Sequence, residues 1–162
     1  MMAIDMGGPI NKAAYVTGTA LLTSAGSAGS DVMAAVMIGG MVPPLAIAVS
    51  ATINKNIWPK AQRSGAWVNY VMGLSFITEG AIPFAASNPA RVIPPLFISS
   101  GIAGALSMTF GAVSKAPHGG IFAIAAGAVS NPLMYLLSLV IGAVLGALLL
   151  IASLSFGKKI VN

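Results

Sequence analysis

The sequence predicts an all-α membrane protein, a polytopic bundle with about four spanning helices and a re-entrant hairpin. Three observations predict it. Charged residues make up 7% of the chain and hydrophobic residues 57%, whereas a soluble domain carries roughly 25% charge. Uncharged runs occupy 13–30, 32–53, 92–114 and 119–157, close to or beyond the ~20 residues that a helix needs to cross hydrocarbon. Finally, the segment Phe76-Ile77-Thr78-Glu79-Gly80-Ala81-Ile82-Pro83-Phe84-Ala85 is apolar on both sides of the only glutamate and is broken by Gly80 and Pro83. A carboxylate inside such a run is costly in a bilayer and by default faces a cavity. Non-helical backbone at that depth is tolerated only where it is buried in protein or lines a water-filled site.

Composition also excludes other classes. The net charge is +5, but the basic residues lie between apolar runs. That placement fits the positive-inside rule and not a nucleic-acid surface. The chain has no cysteine, so it has neither a disulfide framework nor thiol chemistry. With His118 as the single histidine, no His-based metal cage is expected, and no cofactor is expected. No nucleophile elbow, Walker loop, dinucleotide turn or zinc-protease motif is present. No second carboxylate lies near Glu79 to form a glycosidase pair, and no catalytic residue is assigned.

Each element follows from local chemistry. In residues 1–12, Gly7-Gly8-Pro9 forbids a regular helix before Pro9, while Pro9 suits a first helical position; Asn11 and Lys12 then sit just inside a helix. Residues 13–53 read as two spans. The first is rich in hydroxyls and small residues, which permit close helix contact, and reads as protein-buried. Asp31 marks an interface. The second span contains Pro43-Pro44, which remove backbone donors and should bend or break it. A similar Pro-Pro pattern recurs at 93–98, too short to establish a repeat.

Residues 54–63 hold Lys55, Lys60 and Arg63 with no acid and are assigned to the cytoplasm, with Trp58 and Trp67 at headgroup depth. Residues 64–91 read as a re-entrant segment around Glu79, because a hairpin returns Arg91 to the side of Arg63. Residues 92–157 hold the remaining spans and a short hairpin near 119–129, and leave Lys158 and Lys159 in the cytoplasm. Gly142 and Gly146 form a GxxxG spacing that permits close helix packing, with helix–helix dimerisation the lesser reading.

The polar groups at membrane depth are Asn11, Lys12, Asn69, Thr78, Glu79 and His118. Such a set of acceptors and donors suits a neutral polyol or sugar. Four ordered blocks sharpen that reading: Asp5-Met6-Gly7-Gly8-Pro9-Ile10-Asn11-Lys12-Ala13-Ala14-Tyr15, then the Glu79 segment, then Asn88-Pro89 with Arg91-Val92-Ile93-Pro94, then Ala116-Pro117-His118-Gly119-Gly120. Together they resemble the membrane IIC component of the fructose family of bacterial phosphoenolpyruvate-dependent sugar phosphotransferase systems (PTS).

The resemblance implies a homodimeric helical transporter in the bacterial inner membrane. A partner IIB domain, supplied by IIA, would phosphorylate fructose or a similar sugar at the cytoplasmic face. It places Glu79, with Thr78 beside it, on a sugar hydroxyl, and matches Asn11, Lys12 and His118 to family blocks. Family IIC components are longer, and their earlier helices are missing here. The expectation is therefore a C-terminal portion of IIC with no phosphoryl-carrying residue of its own, working as a dimer or with a missing N-terminal half. The alternatives are a structural fragment without independent transport and a secondary transporter that works without phosphorylation.

Overall fold

The computed structural model describes residues 1–160, with side chains to residue 156. Lys158 and Lys159, expected at the cytoplasmic face, lie outside the described side chains. Seven helices follow in order: α1 Pro9–Ala25, α2 Asp31–Ile53, α3 Lys60–Leu74, α4 Ile82–Ser87, α5 Pro89–Thr109, α6 Phe122–Ala125 and α7 Pro132–Ile160. Two-residue strands β1 Val113–Ser114 and β2 Val129–Ser130 pair antiparallel and close the loop that carries α6.

Among the described residues, three helices are long and apolar enough to cross a membrane: Asp31–Ile53, Pro89–Thr109 and Pro132–Phe156. They pack on one another as the centre of an all-α membrane protein. The fourth expected crossing, 13–30, forms α1 over 17 residues, at the short end of the ~17–25 that a spanning helix uses. It is not protein-buried on all sides. Asn11, Ala14, Gly18 and Leu22 form a single buried stripe, and Gly18 lies against Met33 and Val36 of α2. Its hydroxyls do not reach across to another helix. Thr17, Thr19, Thr23 and Ser24 each donate to the carbonyl four residues earlier, the local bond open to Ser and Thr in a helix.

The Pro-Pro pairs do not interrupt their helices. α2 runs through Pro43 and Pro44, and α5 through Pro94 and Pro95. Each proline deprives the carbonyl four residues earlier of its helical donor. For Pro44 that carbonyl belongs to Gly40, and Thr78 Oγ1 donates to it at 2.9 Å. For Pro95 it belongs to Arg91, and Ser153 Oγ donates to it at 2.9 Å. A hydroxyl from a different element thus satisfies two of the four carbonyls that these prolines orphan. Arg91 Nη1 also donates to the Ser153 carbonyl at 2.8 Å, so α5 and α7 are tied reciprocally.

Between α3 and α5 the chain doubles back. α3 ends at Leu74, a 3-10 turn spans Thr78–Ala81, and α4 follows it, with Gln62 Nε2 of α3 reaching the Pro83 carbonyl at 3.5 Å. Phe84 meets Trp58 edge-on at 4.9 Å. Trp58 is not at a surface: it is 3% exposed and its indole donates to Ser50 Oγ at 3.0 Å. Trp58, Phe84, Val92, Leu96 and Leu150 share one apolar cluster, and Arg63 Nε donates to the Trp58 carbonyl. Arg63 and Arg91 therefore lie at the same end of the bundle. Lys60 and Arg63, read as loop, already belong to α3.

Gly142 and Gly146 pack inside the chain. A side chain at Gly142 would meet Ala103 and Val42, and one at Gly146 would meet Ser99 and Ala46. The GxxxG face of α7 is thus used against α2 and α5.

Candidate functional site

The site forms where three chain breaks meet near the middle of α2. The first is the entry to α1. Asp5 caps it from outside the helix: its carboxylate accepts from the Ile10 amide at 2.7 Å and the Asn11 amide at 2.8 Å. These are amides that a helix N-terminus leaves without partners. Gly7, at φ +115, brings backbone so close to Glu79 that a Cβ there would stand 2.9 Å from Glu79 Cγ.

The second break is the turn after α3. Phe76 adopts φ +62, a conformation that costs a bulky residue energy. Its ring occupies the space that the missing side chain of Gly40 leaves. Thr78, 3% exposed, anchors the turn to Gly40 as described. The third break is the loop at Gly119-Gly120. Here the Ile121 amide donates to the Leu74 carbonyl at 2.9 Å. Gly120, at φ +56, lies where any Cβ would strike the Leu74 oxygen.

These breaks enclose a hollow of about 220 Å³. Five of the six polar residues singled out in the sequence, Asn11, Lys12, Thr78, Glu79 and His118, line it, with Tyr15 and Phe76 among the others, while Asn69 does not. Lys12 Nζ stands 3.4 Å from Glu79 Oε1, with the two side chains 60% and 45% exposed. An ion pair so open contributes roughly 0–1 kcal/mol to stability, so folding alone does not account for it. The buried Asn11 side chain donates to the Met2 carbonyl at 2.8 Å. His118 is exposed, and its ring lies 5.1 Å from Phe76 and 6.5 Å from Tyr15, centroid to centroid.

The arrangement pairs an acceptor-only carboxylate with a donor-only ammonium beside three ring faces. A hydroxyl both donates and accepts, so it can bridge the carboxylate and the ammonium. The rings meanwhile offer an apolar floor, the usual composition of a small-molecule site. The five residues do not serve alike. Thr78 and Asn11 direct their hydrogen bonds to backbone and shape the hollow, whereas Glu79 and Lys12 present open charge to it.

Comparison with known proteins points the same way. The chain is 54% identical over 153 residues to the "PTS system fructose-specific EIIB'BC component" of Rhodobacter capsulatus, covering 94% of this chain and 26% of that protein. The chain belongs to the fructose family of PTS IIC membrane components. It is also 49% identical over 150 residues to the "Fructose permease IIC component" of Bacillus amyloliquefaciens, covering 93% of this chain and 47% of that protein. The "PTS system fructose-specific EIIABC component" of Bacillus subtilis matches at 49% identity over 150 residues, 93% of this chain and 23% of that protein. This IIC chain thus spans about a quarter to a half of the length of these relatives. No family model and no solved structure matches it.

Sequence reasoning missed Asp5, Tyr15 and Phe76. Asp5 was readable in principle as an acid just ahead of a Gly-Gly-Pro helix start. The roles of Tyr15 and Phe76 depend on contacts between distant segments.

Proposed function

We propose that this IIC chain supplies the sugar-contacting part of a fructose-translocating PTS unit in the bacterial inner membrane. In that unit a IIB partner, itself charged by IIA, phosphorylates the sugar at the cytoplasmic face. The observation that carries the reading is the open Lys12–Glu79 pair at 3.4 Å in a hollow also lined by Asn11, Thr78 and His118. Glu79 accepts from one sugar hydroxyl, Lys12 donates to a neighbouring one, and the rings of Tyr15, Phe76 and His118 hold the apolar face of the sugar. The segment 64–91 enters and leaves the membrane from one side, which puts Arg63 and Arg91 together in the cytoplasm. The homodimer uses a face other than the GxxxG stripe, which packs inside the chain.

The test is fructose binding by Glu79→Gln in membranes that contain the chain at wild-type level. The substitution keeps the shape but turns an acceptor-only group into a mixed one. Loss of binding is expected, and undiminished binding rejects the site. Co-expression with the remaining part of a IIC protein gives a second readout, since restored uptake of sugar phosphate supports the proposal.

A further inference from the structure

Glu79 lines two hollows. Besides the one it shares with Lys12, it borders a second of about 340 Å³ on the α3 side, lined by Gln62, Val68, Asn69, Gly80 and Phe84 among others. That volume falls in the ~300–1,000 Å³ range of small-molecule sites. Among the described residues Glu79 is the one side chain that belongs to both.

The second hollow contains polar groups with nothing to bond. Asn69 is 1% exposed, and neither its amide nitrogen nor its oxygen has a partner. Its oxygen lies against Gly80, the residue after Glu79, where any Cβ would strike it. Gln62 donates to the Pro83 carbonyl, but its own side-chain oxygen is buried and unpartnered. Buried polar groups are hydrogen-bonded in the great majority of cases, and each exception calls for a missing partner. Two amides spaced seven positions apart, about 10 Å along a helix, line a hollow that also contains a carboxylate edge. Such a set offers donors and acceptors but no cation, which matches a neutral, multiply hydroxylated molecule and not an anion.

We propose that this hollow is a second station for the sugar, on the α3 side of the Glu79 turn, in which Asn69 and Gln62 bind its hydroxyls. Glu79, common to both hollows, keeps one hydroxyl bonded as the sugar passes from the Lys12 side to the Asn69 side. Gln62 lies in the first turn of α3, directly after the basic loop, so the second station is the one nearer the loop assigned to the cytoplasm. The proposal rests on the sugar-binding reading above.

The chain has no cysteine, so single cysteines report each hollow cleanly. Ile77→Cys marks the Lys12 side and Val68→Cys the Asn69 side. Both native side chains are exposed, at 37% and 54%. Maleimide labelling is measured in membranes with and without fructose. At ten times its Kd, one fructose shared between the two stations is expected to slow labelling at both positions, about twofold at each where it divides equally between them, by mass action. In a Val68→Cys, Asn69→Leu double variant the protection at position 68 is expected to disappear, while Ile77→Cys, Asn69→Leu keeps its protection and so shows that the fold survives. Protection at Ile77→Cys without protection at Val68→Cys overturns the second station and leaves the first standing. Protection at neither overturns both.

Discussion

Thr78 Oγ1 donates at 2.9 Å to the carbonyl of Gly40, the acceptor that Pro44 leaves without its helical donor. A proline pair in one helix thereby prepares the dock for the turn that carries Glu79. Removing the hydroxyl in Thr78→Val keeps the shape but orphans a buried carbonyl, at a cost of about 1–3 kcal/mol. Thermal unfolding in detergent should show that loss, with Thr78→Ser close to wild type. Unchanged stability in Thr78→Val would mean that water or another donor takes the carbonyl.

The same logic gives a parallel test at the far end of the bundle. Ser153→Ala deprives the Arg91 carbonyl of its donor while leaving the Arg91 guanidinium bonded to the Ser153 carbonyl. A loss of about 1–3 kcal/mol is expected, with fructose binding retained because the site lies elsewhere. A fall in binding as large as that of Glu79→Gln would show that the α5–α7 tie controls the site.

Lys12 and Glu79 separate function from folding. Because the pair is 60% and 45% exposed, Lys12→Met should change stability by no more than about 1 kcal/mol. Fructose affinity should nonetheless fall strongly if Lys12 is the donor proposed above. Equilibrium binding and a melting curve on the same sample decide it; a variant that melts early and binds normally contradicts the assignment.

Gly120 and Gly127 form a matched pair. Both have positive φ, +56 and +69, but a Cβ at Gly127 meets nothing within 4 Å, whereas one at Gly120 strikes the Leu74 oxygen. Gly127→Ala should lose only about 1 kcal/mol or slightly more, the left-handed penalty. Gly120→Ala should lose considerably more and release the 116–121 loop, which proteolysis can detect. Equal losses would mean that the two loop tips do not interlock.

Gly146 tests where the GxxxG face is used. Since its small surface packs on Ser99 and Ala46 of the same chain, Gly146→Leu should destabilise the fold by about 1–3 kcal/mol or more through overpacking. Cross-linking that shows loss of a dimer with unchanged stability would assign the face to a partner.

Much of the site was legible because polar residues stand out sharply in so apolar a chain. Asn11, Lys12, Thr78, Glu79 and His118 are among its few strong hydrogen-bonding side chains, and all line one hollow. The breaks at Gly7-Gly8-Pro9, Gly80 and Gly119-Gly120 marked where backbone could leave the helix. Less legible was what the prolines do. Taken locally, Pro43-Pro44 implies a bent or broken helix, because the sequence does not reveal that a threonine more than thirty positions later supplies the missing donor. Trp58 shows a similar limit: its place beside a basic loop fits headgroup depth, but the sequence does not reveal that its indole bonds Ser50 and packs on Phe84 inside the bundle.

The sequence by itself determined the solvent of this protein, its helical class and the few polar residues that interrupt its apolar runs. All three follow from hydropathy and backbone sterics, which act locally. Tertiary structure alone decided which side chains satisfy one another. It gave Thr78 to Gly40 and Ser153 to Arg91, brought Lys12 within reach of Glu79 and left Asn69 without a partner. Those outcomes depend on which helix face meets which, and that is set by close packing among segments far apart in the chain.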